Sequence, residues 1–179
     1  MKTRFLLISL LLLSTSLAAQ EFPFLKVGNR WHFIYANSET GEEVPVTLEI
    51  VAETEEGFEV VESRGKKDKD PSVSIWFVDG DFLKEFKKGG DKSSSWNLMK
   101  KNVKVGDKWE SNLGFERIVF EVSAVDKVIF THAGRFEAYE VLVKSSSGSV
   151  LYTTYFNEKV GPLRGSSAFN KGELMSINF

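Results

Sequence analysis

Apolar and polar residues alternate in short runs along most of this chain after residue 20. In residues 31–35 aromatic side chains occupy every second position, and residues 117–124 repeat the pattern with Ile118, Phe120 and Val122. A period of two residues is typical of β-strands that bury one face. No window sustains the spacing of three and four residues that indicates an amphipathic helix. The pattern therefore predicts an all-β domain.

Turn residues separate these runs and set the number of strands. Asp79-Gly80 is a strong signal for a two-residue hairpin, and His132-Ala133-Gly134 predicts a three-residue loop with glycine in the left-handed position. We predict about ten antiparallel strands in a curved sheet or half-barrel meander, and a two-sheet sandwich is the alternative. The predicted strands are 31–35, 46–52, 58–62, 74–78, 82–86, 117–124, 136–143, a run around 155–156, 163–169 and 174–179.

One six-residue stretch occurs twice. Lys26-Val27-Gly28-Asn29-Arg30-Trp31 returns as Lys104-Val105-Gly106-Asp107-Lys108-Trp109, each time before a strand. The similarity continues after each copy and predicts two sequential repeats, about 24–88 and 102–179, joined by a polar linker around 87–95. We interpret the stretch as a turn that starts each repeat. The matched residues that follow are Leu48 with Phe120, Glu49 with Glu121, Phe58-Glu59 with Phe136-Glu137, and Trp76-Phe77 with Tyr155-Phe156.

The N-terminus has the three parts of a secretory signal peptide. Lys2 and Arg4 are positively charged, residues 5–13 are apolar, and Ala18-Ala19 provides the small residues before a cleavage site. We predict a signal-peptide helix over residues 1–19 and a mature β domain over residues 20–179. An uncleaved anchor is the alternative, but the apolar run is short for a span of about 20 residues. No later stretch is long enough to span a membrane, and the absence of cysteine excludes a lipoprotein anchor.

Together the repeated turn, the hairpin from Ala133 to Val141, and Val160-Gly161 before a closing strand resemble the TapB-like family of bacterial envelope proteins. That family is a domain of unknown function. Its hairpin normally carries Val-Pro where this chain has Thr131-His132. The resemblance covers residues 95–179 well and the first half more loosely. Because these motifs are structural turns, the resemblance implies a fold and an envelope location but no catalytic residues.

Composition excludes several kinds of chemistry. The chain has 179 residues and a net charge of −2 without a basic block, so nucleic-acid binding is not predicted. The absence of cysteine removes disulfides, thiol catalysis and cysteine-bound metals. His32 and His132 are the only histidines, and we interpret them as a strand residue and a solvated turn residue. The sequence contains no G-x-S-x-G, H-E-x-x-H, P-loop or dinucleotide-binding motif. A calcium loop around Asp79-Gly80-Asp81 is less favoured than a plain hairpin, so we predict no metal, no cofactor and no catalytic residues.

Aromatic residues remain as candidates for binding. They make up 13% of the chain, which is more than a small core requires. A core of a curved sheet explains them most simply, and a concave surface for a lipid, glycan or peptide is the alternative. On that alternative we select Trp76, Tyr152 and Tyr155 as ligand-binding residues.

Three functions remain open on these grounds. The first is an exported, non-enzymatic envelope protein, periplasmic or extracellular, that binds an apolar small ligand or a partner protein on an aromatic concave face. The second is a structural or assembly protein, such as a surface or pilus accessory, that pairs through an exposed strand edge, for example residues 174–179. The third is a carboxylate-dependent hydrolase, which two acids facing each other in a cleft would favour.

Overall fold

A computed structural model describes residues 22–65, 69–113, 116–168 and 170–179. The described chain forms twelve antiparallel strands in a single sheet and one short 3-10 turn at Lys92–Ser94. The all-β prediction is confirmed. The strands are β1 (Arg30–Asn37), β2 (Glu43–Thr54), β3 (Gly57–Arg64), β4 (Ser72–Asp79), β5 (Phe82–Lys87), β6 (Trp96–Lys100), β7 (Lys108–Leu113), β8 (Glu116–Thr131), β9 (Gly134–Ser145), β10 (Val150–Asn157), β11 (Gly161–Ser167) and β12 (Asn170–Asn178).

The first and last strands meet in the middle of the sheet. Strand β12 lies between β1 and β11, and the order from edge to edge is β6-β5-β4-β3-β2-β1-β12-β11-β10-β9-β8-β7. Two predictions are therefore wrong. The sheet has twelve strands instead of ten, because β6 and β7 were missed. The C-terminal strand is also not an edge available to a partner, since it is hydrogen-bonded on both sides.

The two edge strands approach each other, so the sheet is a nearly closed barrel. Across this seam Asn97 makes two bonds from β6 to β7. Its backbone N–H donates to Ser111 Oγ at 2.8 Å, and its side-chain amide donates to the Glu110 carbonyl at 2.9 Å. Elsewhere in the sheet, neighbouring strands are joined by a backbone ladder. Each of these two bonds between β6 and β7 involves a side chain instead.

Apolar residues fill the end of the barrel at which β1 begins. The segment before β1 contributes Phe22, Phe24 and Leu25, all at most 1% exposed. The Phe24 ring packs edge-on against Trp31 with a centroid distance of 5.8 Å. The indole N–H of Trp31 donates to the Val160 carbonyl at 2.7 Å. This segment is part of the core, while the signal peptide predicted at residues 1–19 lies outside the described residues.

The two copies of the repeated stretch form the same turn. Gly28 donates to the Ile50 carbonyl at 2.8 Å, and Gly106 donates to the Val122 carbonyl at 2.9 Å. Both glycines have positive φ angles, +94° and +89°, which only glycine adopts without strain. The β2–β3 and β8–β9 ladders also contain a bulge at corresponding places, after Ile50 and after Val122. These recurrences support the internal repeat, which stays a prediction.

The tip of the longest hairpin, β8–β9, contacts strands that are not its neighbours in the sheet. Strand β8 bends at a bulge between Ala124 and Lys127, where Asp126 has a φ of +55°. The tip then reaches β11 and β12, because Arg164 donates to the Phe130 carbonyl at 2.7 Å and His132 lies 3.4 Å from Glu173. The tip turn spans two residues, since Thr131 pairs with Gly134, and is shorter than predicted.

Residues 87–95, predicted as a linker between repeats, contain the end of β5 and the 3-10 turn. Within the described part of the chain, none of the helical segments has the length and apolar character of a membrane span.

Candidate functional site

The barrel contains an interior cavity of about 480 Å³. That volume lies within the range of about 300–1,000 Å³ that is usual for small-molecule sites. Strand ends at Tyr35, Glu62, Ser72, Ser167 and Asn170 surround the mouth. The deeper walls are mainly apolar and aromatic, and include Phe33, Leu48, Val60, Trp76, Trp96, Leu98, Phe120 and Phe156.

A row of three side chains crosses one wall of the cavity. Trp76 on β4 is directly opposite Glu85 on β5, and Glu85 is directly opposite Trp96 on β6. Directly paired residues point to the same face of a sheet, and all three line the cavity. The register therefore places one carboxyl group between two indole rings.

The Glu85 carboxyl group is in an unfavourable place for a negative charge. Burial raises its pKa, although the side chain keeps some accessibility to the cavity, and the like charge of Glu62 adds to the increase. Donors on Ser74, Trp76 and Trp96 face the carboxyl group and lower its pKa in part. Trp76 is only 3% exposed, and its indole N–H reaches hydrogen-bond geometry with no atom of the described residues.

Two tyrosines complete the polar lining. Burial, with smaller effects from Tyr35 and Glu85, raises the pKa of the Tyr152 hydroxyl to about 12. The pKa of Tyr35 is raised by burial and by Glu62. The Tyr35 ring covers Gly172, where an added Cβ would lie 2.5 Å from a ring carbon. A glycine is therefore required opposite Tyr35 if the ring is to lie flat along the mouth.

Of the three residues selected from the sequence, two line the cavity. Trp76 lies deep in it and Tyr152 lies nearer the mouth. Tyr155 is not among the lining residues. It lies on the outer face, where Lys127 Nζ is 5.2 Å from its ring centroid and the Glu140 carboxylate is beside its hydroxyl. Ligand binding by these three residues stays a prediction.

The strand registers correct two matches between the repeats, which paired Phe58 with Phe136 and Trp76 with Tyr155. Counted from the shared bulge, the β2–β3 and β8–β9 registers match Phe58 with Tyr139. Phe58 pairs with Trp76, and Tyr139 pairs with Phe156. The equivalent of Trp76 is thus Phe156, not Tyr155. A shift of one residue exchanges the two faces of a strand.

Other candidates from the sequence lie outside the cavity. His32 Nδ1 is 3.1 Å from Thr47 Oγ1 on the outer face, and the His132 side chain is 67% exposed. Glu49 and Glu121 face outward as predicted, and each pairs with a basic residue directly opposite, Arg30 at 2.6 Å and Lys108 at 3.0 Å. The described residues contain no group of three or more acidic or histidine side chains that could hold a metal ion.

Glu85 was not selected from the sequence as a binding residue. In the run Phe82-Leu83-Lys84-Glu85-Phe86 each face carries one charged residue, so the alternation does not show which charge points inward. Only the pairing with Trp76 and Trp96 identifies the inner face.

Comparison with known proteins gives a distant structural likeness. No family model matches the chain, so the resemblance to the TapB-like family is not confirmed. No curated protein matches either. An inferred exported protein with a YmcC-like fold from Bacteroides fragilis is 13% identical with a TM-score of 0.48, over 86% of this chain and 97% of that one. An inferred lipoprotein from Parabacteroides distasonis is 12% identical with a TM-score of 0.46, over 86% of this chain and 96% of that one.

Proposed function

We propose that this protein is an exported, non-enzymatic envelope protein that binds an apolar small molecule inside its barrel. One observation carries the proposal. The barrel is not packed solid but encloses a cavity of about 480 Å³ with aromatic walls. A protein that needs its aromatic residues only for stability would fill such a space, because each void costs packing energy.

The arrangement of polar and apolar groups supports an amphipathic ligand. Apolar residues such as Phe33, Leu48 and Phe120 line the interior, while Ser72, Ser167 and other polar residues surround the mouth. An apolar chain would therefore be buried and a small number of polar groups would fix its orientation, as in other small-molecule sites.

Export is proposed from the predicted signal peptide together with the position of the first described residues. Cleavage after Ala19 would leave Phe22 near the new N-terminus, and the Phe22 side chain is fully buried. A buried Phe22 so close to the predicted cleavage site is compatible with a mature domain that starts at residue 20. The proposed location is periplasmic or extracellular, and the absence of cysteine supports a protein without a lipid anchor.

The other two functions have less support. Pairing through residues 174–179 is wrong as a mechanism of assembly, because β12 is central. Glu62 and Glu85 line the same cavity, but they lie on β3 and β5 of one wall and do not face each other across it. They therefore do not flank a cleft as the paired carboxylates of a glycosidase do.

A fluorescent apolar probe tests the proposal directly. We expect N-phenyl-1-naphthylamine to bind with enhanced fluorescence and Gly165→Leu to weaken binding at least about tenfold. Gly165 lines the cavity, and an added Cβ would have room there, since its nearest neighbour would be the Thr153 carbonyl at 3.9 Å. Thr153→Leu adds the same side chain to the outer face of the adjacent strand and should leave binding unchanged. Equal binding by all three proteins would overturn the proposal.

A further inference from the structure

The wall row formed by Trp76, Glu85 and Trp96 has the composition of a site for a cation. An ammonium group is attracted by a carboxylate, and apolar aromatic walls strengthen this attraction by excluding water. Here the pairing of β4, β5 and β6 fixes one carboxyl group between two tryptophans. Placement on three paired strands makes this arrangement rigid in a way that a loop would not be.

The carboxyl group of this row has polar neighbours but no positively charged partner. No positive charge is among the groups that act on the Glu85 carboxyl group, and Glu85 forms no ion pair with any described residue. Buried carboxylates are normally paired with a positive charge, and among the described residues this one is not. An ammonium group on a ligand would supply the missing positive charge.

The basic residues near the cavity are used elsewhere. Arg64 forms an ion pair with Glu62 at 2.6 Å at the mouth. Arg164 is among the lining residues, but its guanidinium donates to the Phe130 carbonyl and lies 3.2 Å from Glu173. The remaining titratable groups that line the cavity are Glu62, Glu85, Tyr35 and Tyr152. The deep part of the cavity therefore favours a cation over an anion.

We propose that the ligand is an apolar molecule with a single ammonium group, and that this group binds at Glu85 between Trp76 and Trp96. This inference rests on the proposed function and names the class of ligand for the same cavity. A fatty acid is the competing class. Its carboxylate would have to lie beside Glu85 and Glu62 or remain at the mouth near Arg64.

Three amphiphiles of equal chain length separate these possibilities. Dodecylammonium, dodecanol and dodecanoate, each below the concentration at which micelles form, compete with N-phenyl-1-naphthylamine for the wild-type protein. We expect dodecylammonium to bind at least about tenfold more tightly than dodecanol, and dodecanoate to bind most weakly. Glu85→Gln should remove most of the preference for the ammonium compound and leave the affinity for dodecanol unchanged.

Glu62→Gln is the matched control. It removes a carboxylate from the same cavity, but this carboxylate already has Arg64 as its partner. The preference for ammonium should survive in this variant. A preference for dodecanoate, or one for dodecylammonium that persists in Glu85→Gln, would overturn the inference and leave the apolar site intact. Failure of all three compounds to displace the probe would overturn the proposed function as well. Thermal unfolding of each variant shows that a loss of binding is not a loss of folding.

Discussion

The backbone N–H of Asn97 donates to the side-chain oxygen of Ser111 across 2.8 Å, and this bond joins the two edges of the sheet. Every other pair of neighbouring strands is joined by a backbone ladder. Strands β6 and β7 are joined through the Asn97 backbone and side chain instead. The seam is therefore the part of the barrel in which single side chains matter most.

Ser111→Ala is expected to destabilise the protein by ~1–3 kcal/mol, because it leaves the Asn97 N–H without its acceptor. Urea unfolding measures the free energy, and hydrogen exchange of the β6 amides shows whether the seam opens. Asn97→Ala removes only the bond to the Glu110 carbonyl and should cost less. Unchanged exchange in Ser111→Ala would show that this bond does not hold the edges together.

Glu85→Gln is expected to raise the melting temperature at neutral pH by ~2–4 °C, the shift that corresponds to about 1 kcal/mol in a chain of this size. The folded state raises the pKa of Glu85 through burial, so between the ordinary and the raised pKa it binds more protons than the unfolded state. Glu85 therefore contributes its full stability at pH values below the ordinary pKa. This contribution is lost as the pH rises from the ordinary to the raised pKa.

The gain from Glu85→Gln should therefore disappear at about pH 4, near the ordinary pKa of glutamate. Glu137→Gln provides the control. Glu137 is exposed on β9, so this substitution removes the same charge from the surface. Scanning calorimetry of the three proteins between pH 4 and pH 8 makes the comparison. An equal gain in melting temperature at pH 4 and pH 8 would contradict a raised pKa of Glu85 in the folded protein.

Gly28→Ala and Gly106→Ala should each destabilise the protein by ~1–2 kcal/mol, which is the cost of a left-handed conformation for a residue with a Cβ. The two costs should be alike, because both glycines make the same turn with φ near +90°. Gly165→Ala is the control: it lies in a strand at a position with space for a methyl group. Chemical denaturation gives all three values, and clearly unequal costs at residues 28 and 106 would argue against equivalent turns.

Phe24→Ala is expected to cost ~3–5 kcal/mol, as for a buried aromatic residue. Its ring is 1% exposed and packs against Trp31 and Gly161. Phe130→Ala should change stability by no more than ~0.5 kcal/mol, because Phe130 is 67% exposed at the hairpin tip. Thermal or urea unfolding compares the pair. Similar stabilities would mean that the segment after the predicted cleavage site is not part of the core.

Alternation along the chain was enough to predict ten of the twelve strands, because burial of one face is a local pattern. The two missed strands are β6 and β7, the edges at the seam. Strand β6 spans only five residues, Trp96–Lys100, and β7 carries the buried polar residue Ser111, so neither shows a strong alternation. Closure between β1 and β12 was not predicted either, since pairing of the chain ends depends on contacts that no local pattern encodes.

The candidate site was predictable only in part. Tryptophan and tyrosine content indicated an aromatic surface and identified Trp76 and Tyr152, which line the cavity. Tyr155 was wrong as a lining residue, because it lies three residues from Tyr152 on the same strand and therefore points to the opposite face. Glu85 required the cross-strand pairing itself, because Lys84 and Glu85 are equally acceptable on either face of β5.

Native mass spectrometry of the protein purified from the envelope of its own host tests the central claim most directly. We expect the wild-type protein to carry a small apolar molecule with a basic nitrogen, and Gly165→Leu, expressed in the same host, to carry none. Thr153→Leu should retain the molecule. Two results together would contradict a binding function of the barrel: a wild-type protein detected at the mass of the polypeptide alone, and no binding of N-phenyl-1-naphthylamine.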